Sequence, residues 1–165
     1  MEEKVFSTPR GDIRYWVERA GKESDVFLIF LPGLSADHRL FEKQLDCFSG
    51  KYDLLVWDAP GHADSYPFVL DFSLADKARW LKGIMEAEDI RRPLIIGQSM
   101  GGYLAQSFLE LFPKEAAGFI SVDSAPLQRS YYTAAELWLL KRMEPVYRRV
   151  REYEIRNGIT EPTSA

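Results

Sequence analysis

The sequence predicts an α/β fold with a mainly parallel sheet and helices on both of its faces. Three observations carry this. Val26-Phe27-Leu28-Ile29-Phe30-Leu31 is an unbroken apolar run, and a strand apolar on both faces belongs to a parallel sheet covered from each side. Apolar β-prone runs then alternate with helical patterns up to Asp123, the order that builds right-handed crossovers. Finally, Pro93-Leu94-Ile95-Ile96 enters Gly97-Gln98-Ser99-Met100-Gly101-Gly102 and an apolar, alanine-bearing segment leaves it, which reads as strand, sharp turn and helix in direct succession.

Taken in order, Val5-Phe6 and residues 12–18 read as two antiparallel strands joined through the turn residues Thr8-Pro9-Arg10-Gly11-Asp12. A polar loop over 20–25 precedes the first buried strand, which Pro32-Gly33 ends. A helix follows whose apolar positions Leu40, Phe41, Leu45 and Phe48 keep to one side; Ser49-Gly50 stops it. Cys47, between Leu45 and Phe48, is expected to be a small buried residue. Residues 52–57 give the next strand and 58–70 a loop. Ser73-Leu74-Ala75-Asp76 has the form of a helix start, with serine as N-cap and an acid three residues on. That helix runs to about residue 87 and is expected to bury Leu74, Ala78, Leu81, Ile84 and Met85. The helix after Ser99 ends near Phe112-Pro113, and residues 118–123 form a last strand.

From Thr133 the character changes. Thr133-Ala134-Ala135-Glu136 has capping-box form, and residues 137–153 follow with a helical pattern that Pro145 kinks or splits. Leu139, Met143, Val146, Val150 and Tyr153 make its apolar side, opposite Lys141, Arg142, Arg148, Arg149 and Arg151. Glu136, Glu144, Glu152 and Glu154 are interspersed, so the basic residues read as a solvated helix face. Residues 156–165 are polar and read as a frayed tail.

Composition excludes several classes. Net charge is −4 and the isoelectric point about 5.3, so a nucleic-acid partner is repelled on average. No apolar run approaches the roughly 20 residues that span a bilayer, and Met1-Glu2-Glu3-Lys4 lacks the basic-then-apolar order of a signal peptide; no membrane partner and a cytoplasmic location are expected. One cysteine allows no internal disulfide and no cysteine-built metal site. Neither nucleotide-binding glycine pattern, Gly-x-x-x-x-Gly-Lys or Gly-x-Gly-x-x-Gly, is present. No metal and no organic cofactor is expected.

In an open parallel sheet, ligands bind beyond the carboxyl ends of the strands. Pro32-Gly33-Leu34, residues 58–65, Ser99 and Asp123 all fall at that edge. Gly-x-Ser-x-Gly between a strand and a helix is the form of a nucleophile elbow, in which a serine at the tip is held strained above the sheet. Through it the sequence resembles the α/β-hydrolase family. Leu31-Pro32-Gly33-Leu34 occupies the place of that family's His-Gly-x, with proline for histidine. Asp58-Ala59-Pro60-Gly61-His62-Ala63-Asp64-Ser65 resembles its Asp-x-Pro-Gly-x-Gly-x-Ser loop, with alanine for the second glycine. The resemblance covers residues from about 12 to 125.

The resemblance implies a serine hydrolase, esterase- or lipase-like, acting on a small-molecule acyl substrate. Ser99 would be the nucleophile, and the backbone N–H groups of Leu34 and Met100 the oxyanion donors. It also implies an α/β-hydrolase core over residues 1–126 and the start of a helical cap with a tail over 127–165. In the family the order is Ser, Asp or Glu, then His, and here the pattern is broken: both histidines, His38 and His62, precede Ser99. Asp123 is the candidate acid. His38, His62 and Tyr103 are candidate pocket-lining residues, and either histidine is ordinarily a loop residue bonded to backbone. The expectation is therefore a catalytically incomplete hydrolase, lacking on the order of 60 residues for two more strand-helix units. The strand ending at Asp123 would then be an edge open to self-association. A non-catalytic binding module on the same fold, or a part completed by another chain, are the alternatives.

Overall fold

The computed structural model describes residues 1–21, 26–127, 133–135, 138, 142 and 145. Two compact units divide the chain, Met1–Ala125 and Pro126–Ala165. In the first, six strands form one mixed sheet in the order β1-β2-β4-β3-β5-β6. They are β1 (Glu2–Thr8), β2 (Gly11–Glu18), β3 (Phe27–Leu31), β4 (Asp53–Trp57), β5 (Leu94–Gln98) and β6 (Gly118–Val122). The hairpin β1/β2 is antiparallel and joins β4 antiparallel through pairs such as Tyr15 with Trp57. From β4 onward every pairing is parallel. The carboxyl ends of β3, β4, β5 and β6 therefore share one edge.

Strand alternation sends successive side chains to opposite faces, and each face has its own helical cover. Ile29, Leu31, Leu55, Trp57 and Ile95 pack against α2 (Leu74–Ala87) and α3 (Met100–Leu111), which contribute Ala78, Leu81, Ile84, Met85, Leu104, Ala105 and Phe108. Leu28, Phe30, Leu54, Val56 and Ile96 face the other way, onto Phe41, Leu45 and Phe48 of α1 (Glu42–Phe48) and the 3-10 turn before it. Ile120, in register with Ile96, and Val122 lie beyond this cover and are 46% and 42% exposed.

Ser73 and Asp76 form the expected capping box at the start of α2. At its far end, Glu88 clasps the hairpin. Lys4 Nζ donates to both its carboxylate oxygens at 3.0 and 3.2 Å, and the Tyr15 hydroxyl donates at 2.7 Å. Arg19 donates to the Glu88 carbonyl.

Three expectations are corrected. Cys47 is exposed, because α1 is only two turns long and presents Leu45 and Phe48, not Cys47, to the sheet. Leu40 is 45% exposed: residues His38–Phe41 form a 3-10 turn capped by Asp37, whose three-residue repeat carries Leu40 off the apolar side that Phe41 occupies. Leu74 is only partly buried, and Lys77 takes a buried position in its stripe. Residues 58–70 form the expected loop, which contains a 3-10 turn at Ala63–Ser65 and is bridged to Gly11 through Phe68.

In the second unit, residues 134, 135, 138, 142 and 145 are helical, following Thr133. Arg142 lies 4.7 Å from the centroid of the Trp138 ring, and Trp138 is 59% exposed. The remainder of the anticipated helix over 137–153 and the tail over 156–165 lie outside the described residues. Among the described residues, no helix is long and apolar enough to cross a membrane.

Candidate active site

Ser99 follows β5 directly and is the N-cap of α3, with φ 50° and ψ −114°. For a side chain with a Cβ this left-handed region is strained, and the surroundings must hold it there. The Ser99 amide donates to the Val122 carbonyl at 2.9 Å. Its carbonyl accepts from the Gly102 amide at 3.0 Å and the Ser124 hydroxyl at 2.8 Å. The turn is thereby pinned to the end of β6 and to the first turn of α3.

The glycines are explained by what a methyl group would meet. A Cβ on Gly97 would lie 2.5 Å from the Gly101 oxygen and 2.6 Å from the Gly102 nitrogen. One on Gly101 would overlap the Leu31 carbonyl oxygen and sit 2.8 Å from that of Pro32. So Gly97 lets α3 close onto β5, whereas Gly101 lets it close onto the end of β3. Gly102 makes room for Ser124, whose Cβ would be 2.6 Å away.

This contact carries the residue 32–38 loop past the serine. A Cβ on Gly33 would lie 3.2 Å from Ser99 Cβ and would overlap Gln98 Oε1. Leu34 follows and is 38% exposed. The Met100 amide belongs to the first turn of α3, where N–H groups have no partner within the helix. Met100 Sδ lies 3.6 Å from Lys77 Nζ, and Lys77, also 5.2 Å from the Phe72 ring centroid, is only 3% exposed. Tyr103 is half-buried one turn into α3, and Asp123, with φ 53°, is exposed at the end of β6.

Each histidine has a partner other than Ser99. The His38 amide donates to Asp58 Oδ1 at 2.8 Å, and its Nδ1 lies 3.0 Å from the same oxygen. Its ring stacks on Trp16 at 3.8 Å between centroids. Burial by itself would lower the His38 pKa, but the Asp58 hydrogen bond and the charges of Asp58, Asp37 and Asp64 outweigh it, so the net displacement is upward. His38 also lines an open groove of about 400 Å³ with Met1, Glu18, Glu42 and Ser49 on the α1 flank. His62 is 4% exposed, and its Nδ1 lies 3.2 Å from the Pro60 carbonyl. Asp58 directly follows β4, which lies two strand spacings, roughly 10 Å, from β5. Among the described residues the Ser99 hydroxyl has no hydrogen-bond partner.

Asp58 is fully buried. Besides His38 on Oδ1, its Oδ2 accepts from the Asp64 amide at 3.1 Å. His38, Asp58 and Asp64 bring one donor atom each within 4.8 Å of one another. N–H groups bond both Asp58 oxygens, which makes the cluster a hydrogen-bonded clasp.

The sequence reading passed over three of these residues. Lys77 carries a visible signal: it falls in the apolar stripe of α2 between Leu74 and Leu81, where a charge is out of place. Asp58 is visible only as part of its loop pattern, and Ser124 lies outside every motif.

The fold and the strand-turn-helix around Ser99 agree with comparison to known proteins. Residues 26–153 match the alpha/beta hydrolase fold family, and the chain belongs to that family. It is 29% identical over 151 residues to a 2-hydroxy-6-oxononadienedioate/2-hydroxy-6-oxononatrienedioate hydrolase of a Pseudomonas species, covering 88% of this chain and 53% of the relative. It is 32% identical over 142 residues to the protein of that name from Paraburkholderia xenovorans, covering 84% and 49%. Among solved structures, a hydrolase from Pseudomonas aeruginosa superposes with a TM-score of 0.71 at 18% identity, over 88% of this chain and 52% of that one. The chain spans about half the length of the curated relatives it matches, and these relatives and structural neighbours are hydrolases.

Proposed function

We propose that this chain carries the nucleophile half of a serine hydrolase acting on a carboxylic ester or similar acyl substrate. Ser99 attacks the acyl carbon, and the Leu34 and Met100 N–H groups bind the oxygen that becomes negative. Donors of this kind, fixed in advance, each contribute about 3 kcal/mol to such reactions. The observation that carries the reading is the strained Ser99 backbone, φ 50°, held at a strand-helix junction by bonds from three directions. A serine without chemistry to perform has no need of that strain. Asp123 is the candidate acid. The names of the relatives, hydrolases of an oxo-dienedioate, support an acyl-type substrate.

A hydroxyl becomes a strong nucleophile only when a base takes its proton. With His38 clasped by Asp58 and His62 bonded to backbone, this chain alone is catalytically incomplete, and the base comes from outside these residues. The unpartnered Ser99 hydroxyl also favours a second reading, a binding module or one part of an assembly completed by another chain. The exposed Ile120 and Val122 on β6 suit such completion, or self-association of two copies.

A fluorophosphonate probe, with Ser99→Ala as control, tests the nucleophile, and hydrolysis of p-nitrophenyl acetate tests completeness. Slow labelling confined to Ser99, as befits a hydroxyl without a base, together with little turnover is expected. A folded chain that does not label would leave an idle elbow, in an incomplete hydrolase or in a binding module, and robust Ser99-dependent turnover would overturn the incompleteness.

A further inference from the structure

Loop 32–38 must hold Leu34 N–H in place for it to serve the role just given, and it is fastened at two points. At its start, Leu31 and Pro32 carbonyls press against Gly101 with no room for a methyl group. Its end is held by the His38 amide on Asp58 Oδ1. Between them Ser35 adopts φ 58°, a conformation that costs about 1 kcal/mol or more and persists only when its flanks are fixed. The second anchor is itself rigid. Asp58 N–H donates to the Arg14 carbonyl at 3.0 Å, and its carbonyl accepts from the Ser65 hydroxyl at 2.8 Å. That hydroxyl in turn accepts from Arg14 N–H at 2.8 Å, so Asp58 is locked to β2 as well as to its own loop.

From this geometry we infer that Asp58 is a positioning residue for the oxyanion site: its buried carboxylate fixes the far end of loop 32–38 and so sets where Leu34 N–H points. The inference rests on the reading of Leu34 as an oxyanion donor. It needs a carboxylate specifically. Oδ1 and Oδ2 each face a backbone N–H donor, from His38 and from Asp64. In an Asp58→Asn chain one of these donors would face an NH₂ group, whichever way the amide is turned. His38 adds its ring to the same oxygen, and its stacking on Trp16 keeps it there.

The test combines amide hydrogen exchange with fluorophosphonate labelling of the full chain. In Asp58→Asn, exchange at the His38 or Asp64 amide should rise at least about tenfold while Ile29 and Ile95 in the sheet are unchanged. Labelling of Ser99, per folded molecule, should slow by on the order of 10- to 100-fold, the cost of a donor displaced by about 1 Å. A purely structural role would leave that rate unchanged, and unaltered exchange or unaltered labelling would each overturn the inference. Should Asp58→Asn fail to fold, the wild-type chain decides: both amides should be protected at least about 100-fold over an unstructured chain, and unprotected amides would refute the anchor. A wild-type chain that is protected but does not label would remove the oxyanion role together with the Ser99 reading, leaving the clasp as a loop anchor alone.

Discussion

Replacing Gly101 by alanine tests whether the contact between α3 and β3 is as close as described. The new Cβ would overlap the Leu31 carbonyl oxygen and lie 2.6 Å from its carbon and 2.8 Å from the Pro32 oxygen. All three are backbone atoms, so no rotamer change relieves them. Either α3 or the strand end must shift. Overpacking of this kind costs about 1–3 kcal/mol, and fixed backbone places it at the upper end. Alanine recovers up to about 1 kcal/mol through its helix propensity. The net loss is about 2 kcal/mol, a large share of the roughly 5–15 kcal/mol that holds a domain together. Urea denaturation reads it directly: at a slope of about 2 kcal/mol per molar, the midpoint falls by about 1 M. Gly50→Ala is the control. Gly50 has φ 71° but nothing within 4 Å of an added Cβ, so it bears only the backbone strain of about 1–2 kcal/mol and gains nothing from a helix. Fluorophosphonate labelling separates the two variants further, since only Gly101→Ala displaces the loop beside Ser99. A Gly101→Ala chain that keeps the wild-type midpoint and labelling rate would refute the reasoning.

Two other predictions follow from the described contacts. Burial pushes the Glu88 carboxyl up, but the hydrogen bonds from Tyr15 and Lys4, with the charges of Lys4 and Arg19, outweigh it and hold its pKa below the ordinary 4.5. A depressed carboxylate pKa adds stability that is present above pH 4.5 and lost as pH falls through the lower folded value. Melting temperature measured against pH should therefore fall below pH 4.5 in the wild-type chain and more shallowly in Glu88→Gln; parallel profiles would count against the clasp. Cys47 is exposed, so a thiol reagent should modify it in the native chain at close to its rate in urea, and a thiol that reacts only on unfolding would contradict the exposure.

How much of this was legible depended on whether the controlling contact was local. The runs at Phe27–Leu31 and Leu94–Gln98 are apolar on both faces because helices cover both, and a period-free apolar stretch records that directly. The capping box at Ser73 is likewise a three-residue relation. Leu40 and Cys47 were misplaced because a 3-10 turn and a two-turn helix leave too few residues for periodicity to fix a phase. At the site, the Gly-x-Ser-x-Gly pattern announced the turn, but what each glycine faces depends on which strand lies behind it. Gly101 meets β3, and Gly102 meets Ser124, partners that only the sheet order 4-3-5-6 supplies. Asp58 was readable as part of a loop and not as an anchor, because the two donors it fixes are backbone N–H groups, which every sequence has.

The bonds that pin Ser99 also set how much chain its geometry requires. The serine sits at the end of β5, yet its amide is held by Val122 and its carbonyl by Ser124, a residue 25 positions later. Between them lie the whole of α3 and β6. The turn is thus a long-range closure with a short-range signature: a peptide bearing the motif, its strand and its helix would contain every residue of the pattern and still lack the two groups that hold the serine in its strained state. The smallest stretch that can present Ser99 this way reaches through Ser124, so the outermost strand of the described sheet is part of the machinery of the nucleophile.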